Sequence, residues 1–191
     1  MLPRQAKILS EQQVDRLLTY AISKRYPLRN EAIVLLSFKA GLRAAEISQL
    51  RWSMVIDPSG TMGSTIELCS HVAKKASGRR IPVHPDLRRC LGDLYVGLPR
   101  SEFVIQSERG GPIRPVSIVH WFARAYSAIG VIGCSSHSGR RTFITRTAKS
   151  VHHVGGSLRD VQLLAGHRSI QTTQRYIDGD TEAQHRLVAL L

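Results

Sequence analysis

Cysteine is scarce in this chain. Cys69, Cys90 and Cys134 are the three in 191 residues, far apart and without a C-x-x-C pair. An odd count at such spacing excludes a disulfide framework and a zinc-binding knuckle. Long apolar runs are missing too: none approaches the roughly 18 residues needed to span a bilayer. The first ten residues, MLPRQAKILS, lack the apolar stretch of a secretory signal. These absences predict a cytoplasmic chain without membrane contact. Carboxylates number 14 against 27 basic side chains, with no E-x-x-D pair, and the eight histidines include no H-E-x-x-H. No metal and no cofactor are therefore expected. Internal repeats and low-complexity segments are also absent.

What is present is positive charge. The net charge is +13, and arginine outnumbers lysine 21 to 6. The excess is spread along the chain: residues 1–95 hold 15 basic and 8 acidic groups, residues 96–191 hold 12 and 6. A body that is basic throughout, unlike a basic tail, points to a polyanionic partner. Arginine's planar fork suits bidentate contact with phosphate better than lysine's point charge. The hydrophobic share of 42% in 191 residues suits a single domain, residues 1–191, with a sizeable core.

Periodicity divides that domain. Ser10-Glu11-Gln12-Gln13 reads as a capping box, followed by Val14, Leu17, Leu18 and Ala21 at helical spacing, with Pro27 ending the helix. A second helix is predicted over 29–40, stopping at Gly41, and a short third one from Arg43. Residues 64–71 and 79–84 are rich in β-favouring types around KKASG, which predicts a small antiparallel sheet with a loop at 74–78. Helices are predicted again at 86–96, 115–129 and 138–150. His153–Gly156 reads as a loop, Ser157–Asp160 as a capping box, and Ser169 as the cap of a short helix reaching Tyr176. Residues 180–191 form an amphipathic tail helix. The fold class is α+β, mainly α-helical, with a small antiparallel β-sheet.

Metal-free phosphodiester chemistry needs a nucleophile, cations for the non-bridging oxygens and an acid for the leaving oxygen. The residues for it occur in clusters. Gly41-Leu42-Arg43-Ala44-Ala45-Glu46-Ile47 resembles the first arginine box of the tyrosine recombinase, or phage integrase, family. His137-Ser138-Gly139-Arg140-Arg141-Thr142-Phe143 resembles the second. Leu163-Leu164-Ala165-Gly166-His167, with Ile170, Thr172, Thr173 and Tyr176, resembles the third. Lys74-Lys75-Ala76-Ser77-Gly78-Arg79-Arg80-Ile81-Pro82 is similar to the family's hairpin lysine loop. Four boxes in order, with nine residues between His167 and Tyr176, form a specific pattern that covers roughly residues 8–180.

That resemblance implies a catalytic set of Arg43, Lys74, His137, Arg140, His167 and Tyr176. Tyr176 would attack phosphorus to leave a 3′-phosphotyrosyl ester, and Arg43 and Arg140 would clamp the phosphate. His167 would hydrogen-bond to it, and Lys74, eight residues before the proline, would protonate the departing 5′-oxygen. His137 would take the tyrosine proton or hold a non-bridging oxygen. Glu46 would support Arg43 by an i,i+3 pair. Thr172 and Thr173 would cap or pack the short helix.

Two features depart from the family pattern. Gly139 stands where leucine is usual and predicts that the second-box helix starts later. The first box begins at residue 41, so an N-terminal DNA-clamping domain is expected to be absent. The implied partners are double-stranded DNA with inverted-repeat or attachment-like sites, and copies of the chain itself. A monomer when free and a tetramer on DNA are expected, with an accessory DNA-bending protein. The implied setting is a bacterial or phage nucleoid, and the tail is expected to dock on a neighbouring subunit. The rival readings are a type IB topoisomerase-like relaxing enzyme and an inactive DNA-binding relic. The complete residue set argues against the relic.

Overall fold

The computed structural model describes residues 6–69, 72, 78–97, 101–176, 185 and 188–189. Helix α1 (Glu11–Ile22) begins with the expected capping box: Ser10 Oγ accepts from the Gln13 N–H at 3.2 Å, and Gln13 Oε1 accepts from the Ser10 N–H at 3.0 Å. Pro27 does not end this helix; it opens the next. Helix α2 spans Pro27–Phe38, and the turn before it is made by Tyr26 in the left-handed region, φ 67°. Proline is at ease there because the first-turn N–H it lacks has no intrahelical partner in any case. From Ala32 to Phe38 every residue of α2 is buried. A helix buried on all sides is a central one, and α2 packs against α1, α4 (Pro85–Gly97) and α6 (Ser138–Ser150).

Around that axis the remaining elements follow the expected order. Short α3 (Ala44–Ser48) packs on α5 (Pro115–Ala128). Strands β1 (Thr65–Leu68) and β2 (Arg79–Pro82) pair antiparallel, with Ile66 opposite Ile81 and Leu68 opposite Arg79. Alternation puts those four residues on the buried face. Of the loop expected at 74–78, residues 74–77 lie outside the described residues. Helices α7 (Leu158–Ala165) and α8 (Ile170–Gln174) complete the described chain. Of the expected tail helix at 180–191 only residues 185, 188 and 189 are described, and there the Ala189 N–H donates to the His185 carbonyl at 3.0 Å.

Two expectations change. The stretch at His153–Gly156 is not all open loop: Val151–Val154 form a 3₁₀ turn closed by Gly155 in the left-handed region, φ 69°. Helix α6 does not start late. It starts at Ser138 and includes Gly139, which is buried. A Cβ at Gly139 would collide with Ser37 Oγ and would meet the Phe38 ring at 2.9 Å. Glycine's propensity cost of about 1 kcal/mol is the condition for α2 and α6 to approach this closely.

The apolar interior has two parts. The large cluster is built on α1 to α5 and the strands. A smaller one contains Ile144, Ala148, Val151, Val161 and Ala165, and Phe143, Leu158 and Tyr176 pack against it. This second cluster carries the tyrosine side of the molecule.

Gly139→Ala should overpack the α2–α6 contact and destabilise the fold by about 1–3 kcal/mol, measured as a lower urea midpoint. Ser37→Ala removes the obstructing hydroxyl, which is buried without a hydrogen-bond partner, and should restore part of that loss. An unchanged midpoint in Gly139→Ala would show that the contact is not tight.

Candidate active site

Helix α3 positions the first group. Arg43 is its N-cap residue, in extended conformation, and Glu46 sits one turn on. The Glu46 carboxylate accepts from the Arg43 backbone N–H at 2.8 Å and from Arg43 Nη1 at 2.7 Å. This is the support expected for Arg43. The same carboxylate also takes a second guanidinium: Arg79 Nη1 and Nη2, from β2, donate to its two oxygens, each at 3.0 Å. The Glu46 side chain is 1% exposed and that of Arg79 4%, against 23% for Arg43. Burial alone would raise the Glu46 carboxyl. The hydrogen bonds and charge of Arg79, followed by those of Arg43, overcome it and hold the group at about 2.

Helix α6 brings the second arginine. Arg140 is buried, and it donates from Nη1 to the Gly41 carbonyl at 2.7 Å and from Nη2 to the Ala165 carbonyl at 2.6 Å. It therefore bolts the chain entering α3 to the end of α7. Burial pulls its pKa down to about 10, and the neighbouring cations Arg43 and Arg79 add to this, while Glu46 and Tyr176 oppose. It remains charged at neutral pH.

The end of α7 presents the histidine. Gly166 adopts φ 63°, and the His167 N–H reaches back to the Gln162 carbonyl at 3.1 Å. This left-handed close is the glycine helix stop read from the sequence. His167 Nδ1 shares a 2.9 Å hydrogen bond with the hydroxyl of buried Thr173. Its ring stacks on Tyr176, with centroids 5.5 Å apart and planes 24° from parallel. Burial first, then the charges of Arg140, Arg43 and Arg79, push the imidazole down to about 4. Tyr176 follows the C-cap of α8, Arg175, and is half-buried. The Arg141 guanidinium lies over its ring, 5.8 Å from the centroid.

Arg43, Arg140, His167 and Tyr176 are thus brought together from four separate stretches of chain. His137 stands apart from them in burial: it is the exposed N-cap of α6, one turn ahead of Arg140. Lys74 lies outside the described residues. Sequence reasoning missed Arg79 as a site residue, although the signal was there. Alternation along β2 puts Arg79 in phase with buried Ile81, and an inward-facing charge on a half-buried strand requires a buried partner. Among the described residues no group of three or more His, Cys, Asp or Glu could hold a metal ion. No described helix is long and apolar enough to cross a membrane.

Comparison with known proteins gives the family and the fold. The phage integrase family matches residues 7–183, and the chain belongs to that family. It is 29% identical over 163 residues to the tyrosine recombinase XerC of Brucella suis biovar 1 (strain 1330), covering 81% of this chain and 47% of the relative. It is 28% identical over 173 residues to the putative integrase/recombinase y4qK of Sinorhizobium fredii, covering 89% of this chain and 51% of that one. The chain therefore spans about half the length of the curated relatives it matches. Among solved structures it is similar to XerA recombinase, with TM-score 0.75 and 25% identity over 98% of this chain and 66% of that one. It shares its fold with lambda integrase, at 21% identity and TM-score 0.74, covering 93% of this chain and 49% of that one; that structure is a dimer bound to a core site. A lambda integrase tetramer bound to a Holliday junction matches at 20% identity and TM-score 0.73, over 92% of this chain and 49% of that one. The expected fold class, mainly helical with a small antiparallel sheet, is the one observed.

The site's titrations give an acid signature. In the unfolded chain His167 takes a proton near the usual 6.5, whereas in the fold it resists until about 4. The unfolded state then binds more protons between those values, so stability falls as pH drops from about 6.5 to 4. Glu46 adds a second loss as pH falls from about 4.5 towards 2. Urea unfolding across pH should show both limbs, and His167→Gln should flatten the upper one alone. An imidazole that protonates near 6.5 by NMR would contradict this picture.

Proposed function

We propose that the chain carries the strand-cleaving and rejoining site of a site-specific DNA recombinase. The observation that carries this reading is the convergence of two arginines, Arg43 and Arg140, on a neutral histidine stacked against a half-buried tyrosine. The two guanidiniums neutralise a scissile phosphate and the charge that grows on its oxygens as phosphorus becomes five-coordinate. His167 donates from Nε2 to a non-bridging oxygen, which requires that the Thr173 hydroxyl donate to Nδ1 and so leave the ring proton on Nε2. A neutral phenol is a poor nucleophile, so attack requires that its proton be taken as the bond to phosphorus forms.

In the proposed step Tyr176 Oη forms a bond to phosphorus and the bond to the 5′-oxygen breaks. Lys74 supplies the proton that this oxygen takes up. His137 takes the phenolic proton or holds a non-bridging oxygen. The products are a 3′-phosphotyrosyl ester and a 5′-hydroxyl. Attack of a 5′-hydroxyl on that ester reverses the step and frees Tyr176, so the bond energy is kept and no nucleotide cofactor is consumed. The proposed partners are double-stranded DNA with inverted-repeat or attachment-like sites and further copies of the chain, four on a paired site. An accessory DNA-bending protein completes the assembly. Membership of the phage integrase family and the net charge of +13 support this reading.

A nicked suicide substrate should trap the protein as a covalent adduct that maps to Tyr176. Tyr176→Phe should keep DNA binding and lose the adduct, whereas an adduct at any other residue would sink the assignment. Lys74→Ala should slow cleavage of an ordinary phosphodiester by about 10²–10⁴-fold, the usual worth of general acid help. On a substrate with sulfur in place of the bridging 5′-oxygen the loss should be much smaller, since thiolate leaves without a proton. Equal losses on both substrates would remove Lys74 from that role.

A further inference from the structure

Arg79 is the most buried cation that the proposed chemistry leaves unused. It enters β2 opposite Leu68 on the core face of the sheet, where an apolar side chain is the ordinary occupant. Each of its three nitrogens donates inward. Nη1 and Nη2 grip Glu46, and Nε donates to the Leu164 carbonyl at 2.9 Å. That carbonyl belongs to the last turn of α7, where backbone acceptors lack intrahelical partners and a cation is favourable. Gly166 is pressed against the same side chain: a Cβ there would lie 2.9 Å from Arg79 Cδ and 3.0 Å from Nη1. With a bond from each nitrogen to the protein and its side chain 4% exposed, Arg79 does not itself reach a phosphate.

We infer that Arg79 is a positioning residue that sets both the charge and the place of the groups meeting the scissile phosphate; this rests on the recombinase reading above. The charge is set at Glu46. Its carboxylate is shared between Arg43 and Arg79, so the three groups together carry one net positive charge, and Arg43 keeps it on its more exposed side. Without Arg79, Glu46 and Arg43 cancel. The full carboxylate charge then draws the Arg43 guanidinium inward, away from a bound phosphate. The placement is set at α7. Arg79 ties the last turn of that helix to the carboxylate beneath Arg43, which fixes His167 relative to Arg43. One side chain thus holds the spacing between two groups that must touch the same phosphate.

The test measures adduct formation by the full chain on suicide substrates. One substrate carries an ordinary scissile phosphate. In the other a methyl group replaces one non-bridging oxygen, which removes the negative charge that Arg43 meets. Arg79→Met should fold, by circular dichroism, and bind DNA, yet cleave the ordinary substrate about 100-fold more slowly, the scale of a misplaced catalytic group. Adding Glu46→Gln removes the surplus carboxylate charge and should recover about tenfold, the scale of coupling between contacting residues. On the methyl-substituted substrate the part of the loss that comes from charge should vanish, leaving Arg79→Met about tenfold slower than the unaltered chain, the part that comes from placement. Arg79→Lys keeps the charge without the two-pronged grip and should fall between; it carries the same comparison if the methionine variant does not fold. Equal losses on both substrates with no recovery in the double variant would make Arg79 a brace of the fold only and overturn the inference. Cleavage by Arg79→Met at the unaltered rate would overturn it as well. If the unaltered chain forms no adduct, the recombinase reading fails, and the inference with it.

Discussion

A carboxylate buried to 1% exposure is the constraint on which the rest of this site depends. Taking Glu46 out of water costs several kcal/mol before any partner is counted. The cost is offset because all its acceptor directions are filled by one backbone N–H and two guanidiniums. Such a group tolerates little displacement, since every shift lengthens a charge-assisted bond in a region of low dielectric. The start of α3 and the inner face of β2 are therefore held in one register, and Arg79 extends that register to the end of α7.

Arg140 works in the complementary way. It has no carboxylate of its own and spends two donors on backbone carbonyls, those of Gly41 and Ala165. Carbonyl dipoles hold a guanidinium in place without neutralising it. The site therefore keeps its positive charge while its cations are fixed, with Glu46 the acid that is shared. A phosphate arriving here meets charge whose ordering cost was met when the chain folded, the condition under which electrostatic stabilisation is most effective.

Much of the fold was legible because its signals are local. The capping box at Ser10, the helical spacing of Val14, Leu17 and Ala21 and the glycine stop at Gly166 each depend on neighbours within a turn or two. The errors came from contacts far apart in sequence. Gly139 reads as a weak helix position until Ser37 and Phe38, a hundred residues earlier, are seen to occupy the space beside it. Pro27 carries the same local preference whether it ends one helix or begins another, and the fold uses it to begin α2. At the site, the spacing of Arg43, Arg140, His167 and Tyr176 followed a family pattern and was readable. The partnership of Arg79 with Glu46 crosses 33 positions, and alternation along a four-residue strand is a faint signal for it. The Thr173 hydroxyl on His167 was readable only as packing, because which face of α8 turns inward is settled by tertiary contact.

The tyrosine is attached to the smaller of the two apolar clusters, not to the one organised around α2. Cooperative units of a protein open at free energies set by their own contacts. Arg43 and Arg79 are rooted in elements that the large cluster holds, whereas Arg140 lies on α6, whose buried apolar side chains belong to the same smaller cluster on which the tyrosine's ring rests. Local opening of the smaller cluster therefore displaces Tyr176 and Arg140 together, while Arg43 and Glu46 keep their places.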